Sequence, residues 1–357
     1  LELADYAFGL PYDWGMCQRM MEAGVRMGML DDTTVDYFPS RSWTPRWSSE
    51  SDRQLPAANG EGQHAADDPP LLTVPQPAEL PKPETASEAT EAPANLPEWE
   101  YVSEGWERAR DPAAASAVGW SAADVARAYR EKWPRFLQAV QGPGPLGVSH
   151  EVPVGAPISR TDVFAQDAVL AYAFALARAA HGTGKVSILD WGGALGHHYV
   201  LGRRLLPEVS LDYHCRELPE VCAEGQALLP DITFHDTDAC LARRYDLVIA
   251  SGSLQYVSDW RGLLERLAKA SGSWTFVTRV PVAGHASFVV LQRAYAYGYA
   301  TEYLGWVFDP TELLGAARTA DLELDREFVI LPEMVVPGAP AAVAHAGFLF
   351  RTTRRSR

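Results

Sequence analysis

The stretch Ile188-Leu-Asp-Trp-Gly-Gly-Ala-Leu-Gly-His-His-Tyr199 decides the fold class. An apolar run ends in an acid, Asp190, and glycines follow at Gly192, Gly193 and Gly196. A glycine-rich turn lets the backbone approach a ligand closely, and the helix after it presents free amide groups. The spacing departs from the G-x-G-x-x-G pyrophosphate fingerprint, and Asp190 would repel a pyrophosphate. The loop is therefore predicted to bind a nucleotide-type cofactor whose charged group is an ammonium, as in a methionine moiety.

The sequence around this loop alternates apolar strands with helices, which is typical of a parallel α/β sheet. Two late strands, Glu327–Leu331 and Gly347–Arg351, predict an antiparallel hairpin, whereas a dehydrogenase would continue with another crossover. The expected fold is a Rossmann-like class I methyltransferase sheet, mostly parallel, with an N-terminal helical cap. The remaining predicted elements are strands at Val186–Leu189, Ser210–His214, Ile232–Phe234, Leu247–Ala250 and Trp274–Thr278, and crossover helices that include His198–Leu206 and Trp260–Ala270.

Polar residues after successive strands complete a candidate site for S-adenosyl-L-methionine. Glu217 follows the second strand, about 27 residues after Asp190, and this spacing suits one βαβ unit whose acid binds the ribose hydroxyls. Asp236, with Thr237 beside it, follows the third strand and is predicted to meet the adenine amino group. Ser251 follows the fourth strand and is predicted to line the floor between cofactor and acceptor. Taken singly, Glu217 or Asp236 could instead be an exposed helix cap.

Methyl transfer from a sulfonium needs positioning, exclusion of water and, for a hydroxyl acceptor, a base, but no metal. His197 and His198 follow the glycine loop and are the leading base candidates, since histidine titrates near neutral pH. Either histidine could instead only bind the backbone or cap the helix. Tyr256 is the third catalytic candidate. Three further residues are predicted to line the acceptor pocket: Tyr199, Arg279 and His285.

Composition narrows the function classes. The formal charge of −15 and the pI near 5.0 argue against a nucleic-acid-binding surface, which requires clustered Lys and Arg. The four cysteines show no metal-ligand spacing, and reduced thiols in a cytoplasmic protein are expected. No apolar run approaches the roughly 20 residues of a membrane span, and no signal segment is visible. The expected partner is a small-molecule or glycan acceptor, and the oligomeric state stays open.

Four regions are predicted along the chain: a compact aromatic fragment at 1–48, a Pro/Ala/acidic linker at 49–97, a helical cap at 98–184 and the methyltransferase domain at 185–357. The linker contains too few apolar residues to offset its ordering entropy. The first residue is Leu1 rather than Met, so we expect a piece of a longer protein.

Two resemblances accompany these patterns. Asp13-Trp-Gly-Met-Cys-Gln-Arg-Met-Met-Glu-Ala-Gly-Val-Arg and Val35-Asp-Tyr-Phe-Pro-Ser resemble the C-terminal end of a nucleotide-sugar glycosyltransferase domain. The resemblance implies that Asp13 is the base that deprotonates an acceptor hydroxyl, although Asp13 could merely cap the helix beginning at Trp14. The metal-binding and nucleotide-binding parts of such a domain are absent from this sequence.

From Trp99 to Phe350 the chain resembles a family of bacterial S-adenosylmethionine-dependent methyltransferases often associated with surface-polysaccharide or related glycan gene clusters. The distinctive motif is Leu189-Asp-Trp-Gly-Gly-Ala-Leu-Gly-His-His-Tyr, supported by Leu254-Gln-Tyr, Thr278-Arg-Val-Pro and Gly347-Phe-Leu-Phe. This resemblance does not settle the acceptor. The glycosyltransferase-like fragment on the same chain favours O-methylation of a sugar or glycan intermediate, in one part of a bifunctional glycosyltransferase-methyltransferase. Two alternatives remain: a non-catalytic cofactor-binding partner domain and a nicotinamide oxidoreductase.

Overall fold

The computed structural model describes residues 96–110, 123–153, 155–299 and 301–353. The fragment predicted at 1–48 lies outside these residues, as does the linker predicted at 49–97 except for Leu96 and Pro97. Both remain predictions from the sequence.

The described residues form a seven-stranded sheet of the order β4-β3-β2-β5-β6-β10-β9. Strands β2 to β6 run parallel, and β10 is antiparallel to both of its neighbours, β6 and β9. The prediction of a mostly parallel class I methyltransferase sheet with an antiparallel closing hairpin is confirmed. The strands are β2 Lys185–Trp191, β3 Ser210–Arg216, β4 Thr233–His235, β5 Tyr245–Ser251, β6 Ser271–Ala283, β9 Leu322–Met334 and β10 Val343–Thr352.

The central strands are nearly continuous apolar runs because helices cover both faces of a parallel sheet. In β2, Val186, Ile188 and Leu189 are completely buried, and Leu247 to Ala250 in β5 are equally inaccessible. Each strand ends at the same edge of the sheet, where its register matches its neighbour's: Asp190 pairs with Cys215 of β3 and with Ile249 of β5. The loops that follow β2, β3 and β5 are therefore gathered at one edge, where ligands of open α/β sheets bind.

Six α-helices surround the sheet within the described part of the chain. They are α1 Ala123–Ala139, α2 Val163–Ala180, α3 His197–Leu205, α4 Pro219–Leu228, α5 Trp260–Ala270 and α6 Pro310–Thr319. Helix α1 continues through Pro134. A proline deprives a helix of one hydrogen bond, and packing compensates here because Trp133 and Phe136 are fully buried. Helix α2 begins after Asp162, whose side chain accepts a hydrogen bond from the amide of Ala165.

Helix α2 is long and apolar enough to cross a membrane by length and composition alone. In the structure it lies against the sheet, and its residues Tyr172, Ala175 and Leu176 have no solvent exposure. A core helix passes the same composition test, so this feature is weak evidence for a span.

A second, three-stranded antiparallel sheet of described residues was not predicted. It has the order β1-β7-β8, from β1 Trp99–Val102, β7 Phe288–Arg293 and β8 Glu302–Val307. The region expected to be a helical cap therefore begins with a strand, because Trp99 to Val102 pair with Gln292 to Val289. Its strands β7 and β8 follow β6 in the chain, and the small sheet supplies one wall of the site described next.

Candidate functional site

The first cavity, about 150 Å³, lies at the carboxyl ends of β2, β3 and β5. Its walls include Gly192, Gly193 and Ala194 of the glycine loop, and it extends to Glu217 and Ser251. Gly192 and Gly196 adopt left-handed φ values of 76° and 85°, which a side chain disfavours.

The glycines of this loop are required by the protein's own packing. A Cβ at Gly192 would lie 2.6 Å from the Cβ of Ser253, and one at Gly193 would lie 2.5 Å from Oδ2 of Asp190. A Cβ at Gly196 would lie 2.9 Å from a methyl carbon of Leu229. Side chains at these three positions would therefore clash with Ser253, Asp190 and Leu229. The glycines allow the loop to pack against these residues and to form the cavity wall.

Asp190 lies beneath the glycine loop with 0% exposure and does not line the first cavity. Its Oδ2 accepts a hydrogen bond from the Tyr213 hydroxyl at 2.6 Å and lies 3.0 Å from Nδ1 of His198. The direct contact of Asp190 with a cofactor ammonium stays a prediction, and Oδ1 of Asp190 has no hydrogen-bond partner among the described residues. His198, beside Oδ2, does line the cavity.

Glu217 lies on the cavity wall where the sequence placed it. Its Oε1 accepts a hydrogen bond from the Ala194 amide at 3.0 Å, and its Oε2 accepts one from the Leu218 amide at 2.8 Å. Burial raises the pKa of this carboxyl, and the two amides oppose that rise. Each oxygen keeps a second lone pair, so Glu217 can accept two further hydrogen bonds from a ligand in the cavity.

Two of the other predicted cofactor residues are displaced from the cavity. Asp236 and Thr237 are exposed and do not line it, because the chain turns outward after the short strand β4. Arg216 lines this part of the wall instead, held by Asp238 at 2.9 Å. Ser251 does line the cavity, and its buried hydroxyl has no hydrogen-bond partner among the described residues.

His197 stacks in an aromatic cluster that forms one wall of the first cavity. Its ring lies 3.8 Å from that of His150, 4.6 Å from Phe136 and 5.0 Å from Trp133. Burial lowers the pKa values of His197 and His150 well below the ordinary range, so both rings are neutral near pH 7. The Nδ1 atom of His197 has no partner among the described residues.

Of the other candidates, two line the first cavity and two do not. His198 lines the first cavity, and its Nδ1 lies 3.0 Å from Oδ2 of Asp190, which orients the ring. Tyr256 also lines it and donates to Gln292 Oε1 at 2.7 Å. Two predictions for the acceptor pocket are wrong. Tyr199 is buried against Tyr213, and His285 is exposed in the turn after β6.

A second cavity of about 560 Å³ lies between the carboxyl edge of the large sheet and the small sheet. Four residues line both cavities and form their junction: Glu151, Gly252, Tyr256 and Arg279. Glu151 and Arg279 form an ion pair there, and Glu151 raises the pKa of Arg279 against the effect of burial. The φ of Arg279 is 55°, a left-handed conformation that is uncommon for non-glycine residues.

Arg279 was predicted from the sequence to line the acceptor pocket, whereas Glu151 and His150 were not predicted as site residues. Both belong to an irregular segment between α1 and α2, where no periodic pattern marks a residue as buried or exposed. The one available signal was chemical: two adjacent titratable residues, His150 and Glu151, in a segment rich in Gly, Pro and Val.

No family model and no curated protein matches this chain. Among solved structures it is similar to 1,6-didemethyltoxoflavin-N1-methyltransferase of Burkholderia thailandensis, at 16% identity over 57% of this chain and 94% of that one, with a TM-score of 0.36. It is also similar to the magnesium protoporphyrin IX methyltransferase of Synechocystis (12% identity, 62% and 90% covered, TM-score 0.38). A third is the O-methyltransferase of the trans-AT PKS multienzyme of Brevibacillus brevis (10% identity, 51% and 71% covered, TM-score 0.39). The strand order of the sheet, rather than these matches, carries the fold class.

Proposed function

We propose that this chain is an S-adenosylmethionine-dependent methyltransferase that transfers a methyl group to a hydroxyl of a sugar or glycan intermediate. The observation that carries the proposal is the pair of joined cavities. The first is built from a glycine loop and an acid at the carboxyl ends of parallel strands, and it meets the second at the Glu151–Arg279 ion pair. One cavity can therefore hold a methyl donor while the other presents an acceptor to it.

The residues of the first cavity fit this cofactor. Glu217 has lone pairs for two ribose hydroxyls, and the unpartnered hydroxyl of Ser251 offers a further polar contact. His198, oriented by Asp190, would contact the methionine moiety through its second ring nitrogen. When bound, the cofactor supplies a sulfonium methyl group, which an oxygen nucleophile displaces in line.

At the junction, Glu151 is positioned to accept the proton of the acceptor hydroxyl. It is the one carboxylate that lines both cavities among the described residues. Arg279 fixes the carboxylate, and Tyr256 is a poor base because burial raises its pKa strongly. The acceptor oxygen bonds to the methyl carbon as the carbon–sulfur bond breaks, and the hydroxyl proton passes to Glu151. General-base assistance of this kind contributes typically ~10²- to 10⁴-fold.

The second cavity supports a sugar as the acceptor. Tyrosines supply flat apolar faces with polar edges, and four of them line it: Tyr256, Tyr297, Tyr299 and Tyr303. Carboxylate and amide groups between these rings can accept hydrogen bonds from hydroxyl groups. The glycosyltransferase-like fragment predicted at 1–48 is a separate reason, from the sequence, to expect a glycan.

The test is methylation of a panel of mono- and oligosaccharides by unlabelled S-adenosylmethionine, read by mass spectrometry. We expect a product 14 Da heavier for at least one sugar, and a rate at least ~100-fold lower for Glu151→Gln with unchanged S-adenosylhomocysteine affinity. Glu131→Gln, on the exposed surface of α1, is the matched control. Cofactor binding without methylation of any sugar hydroxyl would refute the proposed activity, and an equally active Glu151→Gln would refute the assigned base.

A further inference from the structure

The charges that line the second cavity are unbalanced. Three carboxylates belong to its wall, those of Glu98, Glu151 and Glu333. Among the described residues of that wall, the only Lys or Arg side chain is Arg279, which is already paired with Glu151. Burial lowers the pKa of His345 in the same wall to about 4, so this ring is neutral at pH 7. Two carboxylates therefore have no cation in the wall of the cavity.

Glu98 is held in a polar chain that fixes its carboxylate among tyrosines. Its Oε1 accepts from Gln292 at 3.1 Å, and both oxygens lie 3.2 Å from the hydroxyl of Tyr297. Gln292 in turn accepts from Tyr256 at 2.7 Å. These donors are neutral, so they stabilise the carboxylate of Glu98 without compensating its negative charge.

The tyrosine rings beside Glu98 are placed to receive a cation. Lys132, which does not line the cavity, already makes such contacts: its ammonium lies 4.9 Å from the centre of the Tyr299 ring and 5.9 Å from that of Tyr297. Even when Lys132 is counted with Arg279, the three carboxylates leave the region negative. Burial first, and then Glu98, raises the pKa of Tyr297, as a negative potential would. A ring face beside a carboxylate attracts an ammonium group.

Two buried polar atoms in the same wall lack partners among the described residues. Gln255 is 2% exposed and its Oε1 accepts no hydrogen bond, and His345 is 9% exposed with an unpartnered Nδ1. Buried polar atoms are nearly always satisfied in a working complex. An amide oxygen can only accept, so a hydrogen-bond donor on a ligand would satisfy it, as would a water molecule. The wall is therefore built for a ligand that brings hydrogen-bond donors and positive charge.

We propose that the acceptor is an amino sugar whose free ammonium group binds Glu98 between the tyrosine rings. This inference rests on the proposed function and specifies the substrate class of the same site. It disfavours sugar acids and nucleotide-activated sugars, because carboxylate or diphosphate groups would meet the uncompensated negative charge. It also disfavours N-acetylated sugars, which present an amide where the site offers a carboxylate.

The experiment uses the full chain saturated with S-adenosylhomocysteine and four probes of matched size: chitobiose with free amines, N,N′-diacetylchitobiose, cellobiose and digalacturonate. Calorimetry should show the free amine binding at least ~10-fold more tightly than any other probe. Glu98→Gln should reduce this preference to below ~3-fold, because the amide keeps the hydrogen bonds but not the charge. Glu100→Gln is the matched control, since Glu100 pairs with Arg293 and does not line the cavity.

Equal or tighter binding of the acetylated, neutral or acidic probe would overturn the inference, and so would no detectable binding of the free amine. A preference that survives Glu98→Gln would show that another group binds the ammonium and would overturn the assignment of Glu98. These outcomes differ from failure of the proposed function. A chain that methylates neutral sugars but rejects amines keeps the proposed function and loses this inference, whereas a chain that binds no S-adenosylhomocysteine loses the proposed function first.

Discussion

Replacement of Glu217 by glutamine tests how the first cavity recognises its ligand. The carboxylate accepts the amides of Ala194 and Leu218, and its remaining lone pairs are assigned to two ribose hydroxyls. Hydrogen bonds to a charged group contribute about 1.5–3 kcal/mol, so Glu217→Gln should weaken S-adenosylhomocysteine binding roughly 10- to 150-fold. Glu220→Gln, exposed in the first turn of α4, should bind like wild type.

The same substitution disturbs the glycine loop, because a glutamine NH₂ group cannot accept the amide that the lost oxygen accepted. A thermodynamic cycle separates the two effects. Calorimetry with S-adenosylhomocysteine and its 2′-deoxy analogue should show a loss of about 10-fold for wild type and less than about 3-fold for Glu217→Gln. If the variant loses as much as wild type on removal of the hydroxyl, Glu217 supports the loop and does not bind the ribose.

The pH dependence of binding follows from the direction of the same pKa. Burial raises the pKa of Glu217 above its ordinary 4.5, so this carboxyl gains a proton at a higher pH than an exposed glutamate. Affinity for S-adenosylhomocysteine should therefore decline as pH falls through that raised value, while Glu217→Gln should lack this decline. If wild type and Glu217→Gln show the same pH profile of binding, Glu217 does not contact the ligand.

Three further outcomes are expected. Because His197 has a lowered pKa when folded, stability should fall as pH drops through about 6.5, and His197→Phe should make that fall shallower, by at most about 1.4 kcal/mol per pH unit; urea titrations showing equal slopes would contradict this. Gly192→Ala should cost about 2–5 kcal/mol, against about 1–2 kcal/mol for Gly182→Ala, since both have positive φ but only the first meets a neighbour; equal losses would refute the packing reason. Limited proteolysis should cut within 49–97 and leave a resistant fragment beginning near Trp99, and early cleavage elsewhere would contradict the predicted linker.

The large sheet was predictable because its information is local. An apolar run that ends in Asp190, followed by glycines, marks a strand, a turn and a helix within 12 residues, and repeated alternation then predicts the parallel order. The small sheet was not predictable in this way. Its first strand pairs with residues about 190 positions later, as in Trp99 opposite Gln292, and nothing in four residues reveals such a partner.

The same distinction between local and long-range information applies to the residues of the site. Glu217 and Ser251 follow strands directly, so the sheet carries them to its carboxyl edge, where the sequence placed them. Asp190 also ends a strand, but packing directs its carboxylate under the loop, toward Tyr213 and His198. Glu151 comes from an irregular segment, and only the folded chain shows that it meets Arg279 at the junction. Positions fixed by strand ends are readable from sequence, whereas side-chain directions and loop contacts depend on tertiary packing.

Binding of S-adenosylhomocysteine to the whole chain, measured by calorimetry beside NAD and NADP, tests the central claim most directly. A methyltransferase cofactor site in the first cavity predicts a micromolar dissociation constant for S-adenosylhomocysteine, about −8 kcal/mol, and no saturable binding of either dinucleotide. No heat of binding for S-adenosylhomocysteine, or tighter binding of a nicotinamide dinucleotide, would contradict it.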